Sequence, residues 1–223
     1  MHRTIEPSIL YFGTPVILIS TVNETGTANL APMSSVFWLG QRCMLGLAAS
    51  SKTTQNMLRT AERVLNLASV NEVAAVNRLA LTTGSHPVPE SKQRRGYRFE
   101  PDKFRVAQLT SLASETVTAP RVRECHVQLE AIVEAAHGMA EKDNVQRGRF
   151  VGIEVRISRT HAEEAILVRG EPHRIDPDKW RPLMMSFQRL YGLGLQTYDS
   201  VLATIPESLY DSPARQRQSI GEG

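Results

Sequence analysis

The chain has 223 residues, of which 41% are hydrophobic and 22% are charged, a composition typical of a globular domain rather than of a disordered chain or a coiled coil. Its 26 basic and 23 acidic residues leave a net charge of +3, too small an excess to indicate a nucleic-acid partner. No apolar run approaches the roughly 20 residues that span a bilayer, and Glu6, Pro7, Gly13 and Pro15 interrupt the N-terminal segment where a signal peptide would lie. We therefore expect a cytoplasmic protein without a membrane segment.

The first part of the chain predicts a hairpin followed by alternating strands and helices. Residues 15–22 are β-branched and apolar, which is typical of a strand covered on both faces, and turn residues lead from there into a hairpin partner at 27–30. Because Pro32 lacks a backbone donor, we expect residues 31–35 to be irregular. The next predicted elements are a strand at 42–48, a helix that begins near Thr53 or Thr54 and runs to Ala61, a strand at 63–68 and a helix at 70–81.

The second part predicts a long loop and two long strands. Residues 82–101 are rich in Gly, Pro, Ser and charge, which indicates a loop or lid. Apolar residues alternate with polar ones over 127–133 and 151–157, as in half-buried strands. Three further predictions are an edge strand at 165–168, a helix at 178–191 and a polar, flexible tail at 211–223.

Strands joined by short hairpins, with few helices and no regular alternation of strand and helix, favour an antiparallel barrel over a doubly wound sheet. We therefore expect a mainly β fold with peripheral helices. No linker divides the sequence, so a single domain is predicted over residues 1–210, with a C-terminal helical extension from about residue 176.

The sequence lacks the motifs of several common enzyme classes. Gly192 and Gly194 form a G-x-G without the third glycine of a dinucleotide-binding turn, and they follow a predicted helix rather than a strand. Walker A, H-E-x-x-H and G-x-S-x-G motifs are absent. Cys43 and Cys125 are too few for a metal cluster, so we predict no metal site and expect both cysteines to be buried as apolar residues.

Residues 50–56 carry the pattern that best indicates a ligand. Hydroxyl residues precede a helix start, where unpaired backbone N–H groups and the positive end of the helix dipole favour a phosphate, and Lys52 adds a full charge. Helix capping alone would also explain the hydroxyl groups. The residues themselves do not decide between phosphate binding and helix capping.

A set of features then follows in a recognisable order. Residues 15–21 form an apolar opening strand, residues 26–35 read Gly-Thr-Ala-Asn-Leu-Ala-Pro-Met-Ser-Ser, residues 52–56 read Lys-Thr-Thr-Gln-Asn, and Asn66 lies in the strand after that helix. Asp102-Lys103-Phe104 and Arg159-Thr160-His161 come later. This ordered set, which covers most of residues 12–170, resembles the flavin reductase-like family of the FMN-binding split-barrel superfamily.

The resemblance implies a homodimer of split β-barrels that binds FMN, or sometimes FAD, with NAD(P)H as electron donor stacking on the exposed flavin. Some members supply reduced flavin to a partner oxygenase, and others keep their flavin and transfer electrons. Carried onto this chain, the resemblance implies three groups of cofactor contacts: the isoalloxazine edge at Met33, Ser34, Ser35 and Val36; the ring and ribityl chain at Ala49, Ser50 and Ser51; and the phosphate at Lys52, Thr53 and Thr54.

The sequence departs from the family pattern before the late strand, where many members have Gly-Asp-His and this chain has Arg147-Gly148-Arg149-Phe150. His161 is the candidate substitute for the missing catalytic histidine, although a surface position beside two glutamates would also explain it. The basic segment 92–98 would either clamp a dinucleotide pyrophosphate or a substrate carboxylate, or be a solvated loop.

Arg189, Tyr191 and Tyr198 resemble the R-x-x-G-x-Y element of related reductases, which implies that Arg189 and Tyr198 reach the flavin. For Tyr191, ordinary packing is the alternative explanation.

Two functional hypotheses result from the sequence. The first is an FMN-dependent NAD(P)H:flavin oxidoreductase, which could be the reductase component of a two-component monooxygenase. The second is a non-catalytic FMN-binding or flavoredoxin-like electron-transfer protein. An RNA-binding barrel is disfavoured because aromatic residues, which stack on bases, are only 6% of the chain.

Overall fold

The computed structural model describes residues 1–210, which contain strands, four α-helices and short 3-10 turns. The predicted tail at 211–223 lies outside the described residues. The strands are β1 (Thr14–Pro15), β2 (Ile17–Val22), β3 (Ala28–Met33), β4 (Val36–Leu39), β5 (Arg42–Ala48), β6 (Glu62–Leu67), β7 (Thr82–Thr83), β8 (Arg98–Phe99), β9 (Ser111–Leu112), β10 (Arg121–Val122), β11 (Val127–Gly138), β12 (Phe150–Ala162), β13 (Leu167–Val168), β14 (Glu171–Ile175), β15 (Leu183–Ser186) and β16 (Arg189–Gly192). The helices are α1 (Lys52–Thr60), α2 (Val73–Leu79), α3 (Glu90–Gln93) and α4 (Lys103–Ala107).

A seven-stranded antiparallel sheet forms the centre of the molecule, in the order β3-β2-β6-β11-β12-β5-β4. Apolar residues from both ends of this order, such as Ile19 on β2 and Leu45 on β5, pack in one cluster. The sheet therefore curls around its own apolar face, and the mainly β fold expected from the sequence is confirmed. No helix within residues 1–210 is long and apolar enough to cross a bilayer.

The other face of β2 and β3 carries two of the peripheral helices, α2 and α4. Leu18 and Leu30 lie there in a second apolar cluster with Leu79 of α2 and Ala107 of α4. Because both faces of β2 are covered, Ile17, Leu18 and Ile19 have no exposed surface. The continuous apolar run at 15–22 is therefore explained by burial of the strand on both faces, as the sequence predicted.

Several predicted elements are present. On β12, Val151, Ile153 and Val155 face the core, as the alternating pattern predicted. The strand at 42–48 and the helix after Ser51 are also found, and the predicted helix at 70–81 is a 3-10 turn over Val70–Glu72 followed by α2. Both cysteines are buried and unpaired with each other.

Two predicted elements are wrong. Residues 31–33 are not irregular, because Pro32 lies on β3, an edge strand of the large sheet, where a residue without a donor is tolerated. The helix predicted over 178–191 is the hairpin β15–β16, which turns at Phe187 and Gln188, both at positive φ. Pairing of β15 with β1 and burial of Leu183 outweigh local helix propensity there. The C-terminal extension from about residue 176 therefore begins as strands rather than as a helix.

Candidate functional site

A cavity of about 210 Å³ opens between the large sheet and the peripheral helices. One side is apolar and is formed by residues of β2, β3 and β5, among them Ile19, Met33 and Leu47. The other side is polar and begins at Lys52 and Thr53 of α1. An apolar wall beside a few polar and charged groups is the usual make-up of a cofactor pocket.

The start of α1 explains why its hydroxyl groups do not all point to the cavity. Ser51 is the N-cap, and its Oγ accepts a hydrogen bond of 3.1 Å from the Thr54 amide. Thr54 is fully buried, and its hydroxyl donates to the Ala48 carbonyl at 2.9 Å. Capping therefore uses the side chains of Ser51 and Thr54, whereas Lys52 and Thr53 remain on the cavity wall. Within residues 1–210, the amides of Lys52 and Thr53 donate no hydrogen bond, as is normal in a first helical turn.

A buried polar network fixes the position of Thr53. The Nδ2 atom of Asn29 donates to Thr53 Oγ1 and to Thr21 Oγ1, each at 3.2 Å. The Nδ2 atom of Asn56 donates to the same Thr21 hydroxyl at 3.1 Å. Because these side chains are buried, the network holds the beginning of α1 against β2 and β3.

The polar side of the cavity is strongly basic. Lys52, Lys92, Arg95 and Lys103 line it, and no carboxylate is among its lining residues in the described part of the chain. Lys103 is only 4% exposed, and burial lowers the pKa of its ammonium to about 8. Its Nζ atom makes no hydrogen bond or ion pair within residues 1–210. The charge of Glu100 offsets only part of the cost of burying this ammonium, which therefore fits an anionic ligand in the cavity.

The sequence pointed to part of this site. Four of the residues named for the cofactor line the cavity, namely Met33, Ser51, Lys52 and Thr53. The other eight do not line it: Ser34, Ser35, Val36, Ala49, Ser50, Thr54, Arg189 and Tyr198. Val36 faces the apolar core. Contacts of these residues with a cofactor stay a prediction.

The C-terminal element lies apart from the cavity lining. Arg189 is exposed on β16, and Tyr198, 86% exposed, borders a separate open depression together with Gln196 and Asp199. The resemblance gave the order of these residues along the chain but not the position of this segment relative to the cavity.

His161 lies on the sheet face opposite the apolar wall of the cavity. Directly paired residues share a face, so His161, paired with Gln128, lies opposite Leu129, Leu65 and Ile19. The Nε2 atom of His161 is 2.8 Å from Oε1 of the buried Glu130. The structure thus gives His161 a structural partner, and its catalytic role stays a prediction.

Sequence reasoning missed the fourth cation of the site, Lys103. Lys103 was noted only within the Asp102-Lys103-Phe104 triplet, where an isolated lysine reads as a surface residue. It is buried because α4 packs beside α2 and β3 at the cavity. The family resemblance includes Lys103, but the burial of this residue results from the packing of α4 against elements distant in the chain.

The geometry agrees with comparisons to known proteins. The family model described as "Flavin reductase like domain" matches residues 9–191. This chain belongs to the flavin reductase-like family. It is also 35% identical over 192 residues to the uncharacterized protein YdfE of Bacillus subtilis, covering 86% of this chain and 89% of that protein.

Solved structures show the same fold, which is the split-barrel fold of this family. Nitrilotriacetate monooxygenase component B from Bacillus cereus matches with a TM-score of 0.68 and 21% identity, over 86% of this chain and 88% of that one. Flavoredoxin of Desulfovibrio vulgaris matches with a TM-score of 0.71 and 17% identity, over 91% and 99%. At these identities the likeness concerns the fold. Membership of the family implies flavin binding.

Proposed function

We propose that this chain is an FMN-dependent NAD(P)H:flavin oxidoreductase. The observation that carries the proposal is the cavity in which an apolar wall at Met33 and Leu47 meets the cations of Lys52 and Lys103, with no carboxylate among the lining residues in the described part of the chain. An FMN molecule has the matching division, an apolar ring system and a phosphate with a charge of about −1.5 to −2.

The residues on the polar side would hold the phosphate. Lys52 and Lys103 supply charge, and the free amides of Lys52 and Thr53 supply donors at a helix N-terminus. Asn29 keeps the Thr53 hydroxyl in place with a 3.2 Å hydrogen bond. Bound FMN would accept a hydride from NAD(P)H, and the chain would orient the flavin and exclude water from its apolar side.

A second candidate is a flavoredoxin-like electron-transfer protein that holds FMN without reacting productively with nicotinamide. One observation favours it: the family's Gly-Asp-His is absent before β12, where this chain has Arg147-Gly148-Arg149-Phe150.

Reduction of bound FMN by nicotinamide separates the two candidates. The purified protein would be saturated with FMN and mixed anaerobically with NADH and, separately, with NADPH, while the visible band of oxidised flavin is followed. Bleaching far faster than for free FMN supports the oxidoreductase and names its donor. A stable band with both donors supports the electron-transfer protein, and failure to bind FMN or FAD contradicts both.

The proposal includes a homodimer and, in the reductase role, a partner oxygenase. β4 is an edge of the large sheet, and it exposes 55% of Phe37 and 74% of Leu39. An apolar edge strand of this kind is a ready docking surface for a second copy. Light scattering should give twice the mass of 24.8 kDa, and Phe37→Glu combined with Leu39→Glu should give a monomer.

A further inference from the structure

The segment from α3 to β8 forms one wall of the cavity and is attached firmly at its end. β8 pairs in parallel with β7, which aligns Thr82 with Arg98 and Thr83 with Phe99. The Glu100 amide adds a hydrogen bond of 2.9 Å to the Thr83 carbonyl. Two basic residues of this segment, Lys92 and Arg95, line the cavity and therefore do not belong to a free loop.

Two cationic side chains of the segment, Lys92 and Arg95, lie over the ring of Tyr97. Lys92 Nζ lies 5.6 Å from the centre of the Tyr97 ring, and the Arg95 guanidinium carbon lies 5.5 Å from it. Lys92 Nζ also donates to Thr83 Oγ1 at 3.0 Å, and Arg95 Nε donates to the Ser91 carbonyl at 3.0 Å. Within residues 1–210, the two terminal nitrogens of Arg95 have no partner. They are the fork that binds a phosphate with two parallel hydrogen bonds.

The charges of the cavity exceed what one flavin phosphate neutralises. Four cationic side chains line the cavity, and within residues 1–210 the one carboxylate paired with any of them is that of Glu24, 3.4 Å from Lys52 and itself largely exposed. A phosphate monoester brings about −1.5 to −2. If Lys52 and Lys103 hold that group, Lys92 and Arg95 are left with an unmatched positive charge. Burial and the neighbouring Arg95 lower the pKa of Lys92, as expected for cations placed together without an anion.

We propose that Lys92, Arg95 and Tyr97 form a second anion subsite, which binds the adenosine-side phosphate of a dinucleotide. This inference rests on the proposed function, because it assigns the first phosphate position to the flavin. Two molecules carry an adenosine-side phosphate, the NAD(P)H donor and FAD. The subsite would therefore favour NAD(P)H over reduced nicotinamide mononucleotide, or FAD over FMN.

The test compares Lys92→Gln/Arg95→Gln with Arg94→Gln. Arg94 is a matched control because it is exposed on the same helix end, pairs with Glu90 and does not line the cavity. Calorimetry would measure the binding of FMN and FAD, and of ADP to both the flavin-free and the FMN-loaded protein. Kinetics would compare NADH and NADPH with reduced nicotinamide mononucleotide.

The double variant should weaken ADP binding by about tenfold or more, while Arg94→Gln leaves it unchanged. If the donor occupies the subsite, KM for NADH or NADPH rises by a similar factor and the constants for the mononucleotide do not change. If FAD occupies it, the preference of the wild-type protein for FAD over FMN disappears in the variant.

The proposal is overturned if the double variant binds ADP as the wild type does, or if neither protein binds ADP. It is also overturned if the variant loses FMN affinity while the FAD-to-FMN and dinucleotide-to-mononucleotide ratios stay constant, because the cations would then hold the flavin's own phosphate. Absence of any flavin binding would contradict the proposed function separately, since ADP binding to the flavin-free protein still reports on the second subsite.

Discussion

The side-chain amide of Asn29 donates a 3.2 Å hydrogen bond to the hydroxyl of Thr53 and so ties an edge strand to the first turn of α1. Thr53 and Lys52 next to it are thereby fixed at the wall of the cavity. A binding group that is held in place before the ligand arrives loses little conformational entropy on binding.

Removing the side chains of Lys52 and Thr53 should weaken FMN binding. For Lys52→Ala combined with Thr53→Ala, we expect a loss of about 2 to 4 kcal/mol, because charged hydrogen bonds contribute about 1.5 to 3 kcal/mol each and do not add fully. Fluorescence titration of FMN measures the change. Lys142→Ala is the control, since Lys142 is exposed and does not line the cavity. Unchanged FMN affinity in a folded double variant would contradict the phosphate assignment.

A methyl group at Gly84 should disturb the side chains of Asn29 and Lys52 at the cavity. A Cβ atom on Gly84 would lie 2.6 Å from Asn29 Oδ1 and 3.1 Å from Lys52 Cγ, so Gly84→Ala must displace one of these side chains. We expect FMN affinity and the free energy of unfolding each to fall by about 1 to 3 kcal/mol. Gly194→Ala is the matched control, because its Cβ would meet nothing within 4 Å. Equal FMN affinities of Gly84→Ala and Gly194→Ala would show that the positions of Asn29 and Lys52 do not determine FMN binding.

The sequence predicted the parts of this site that depend on neighbours along the chain. Ser51 and Lys52 stand at a helix start that hydroxyl residues and helix-forming residues define locally. Lys103 and Gly84 could not be placed in the same way, because their roles depend on tertiary packing: α4 packs beside α2 and β3, and Gly84 lies next to the side chains of Asn29 and Lys52. The hairpin β15–β16 was missed for a related reason: its partner, β1, lies about 170 residues earlier in the chain.

Glu130 should make stability depend on pH in the acid range. Burial by itself raises the pKa of this carboxyl group, but hydrogen bonds from the Thr116 side chain, the Glu115 and Thr116 amides and His161 together outweigh it and lower the pKa from 4.5 to about 2. A lowered pKa means that the folded state favours the ionised form. The stabilisation is therefore complete above about pH 4.5 and is lost as the pH falls towards 2.

Urea denaturation at pH 7 and at pH 3 tests this assignment. Glu130→Gln should lower the free energy of unfolding at pH 7 by about 3 kcal/mol, because Thr116 and His161 lose the charged acceptor that the buried Glu130 provides. The difference between variant and wild type should shrink at pH 3. Glu90→Gln, an exposed carboxylate, controls for general charge effects. A difference that stays constant with pH would show that Glu130 does not titrate as assigned.

Arg63 presents the opposite case, a buried charge whose removal should stabilise the protein. Its side chain has no exposed surface, its Nε and Nη1 atoms have no hydrogen-bond partner within residues 1–210, and burial lowers the pKa of its guanidinium to about 9. Replacing a poorly compensated buried ion with an apolar residue of similar length is often neutral or stabilising by about 1 to 4 kcal/mol. We therefore expect Arg63→Met to keep or raise the free energy of unfolding, whereas Arg63→Ala should lower it by leaving a void. If Arg63→Met were the more damaging of the two in a urea titration, the guanidinium must have an anionic partner in the native protein, and its charge would be part of a binding site.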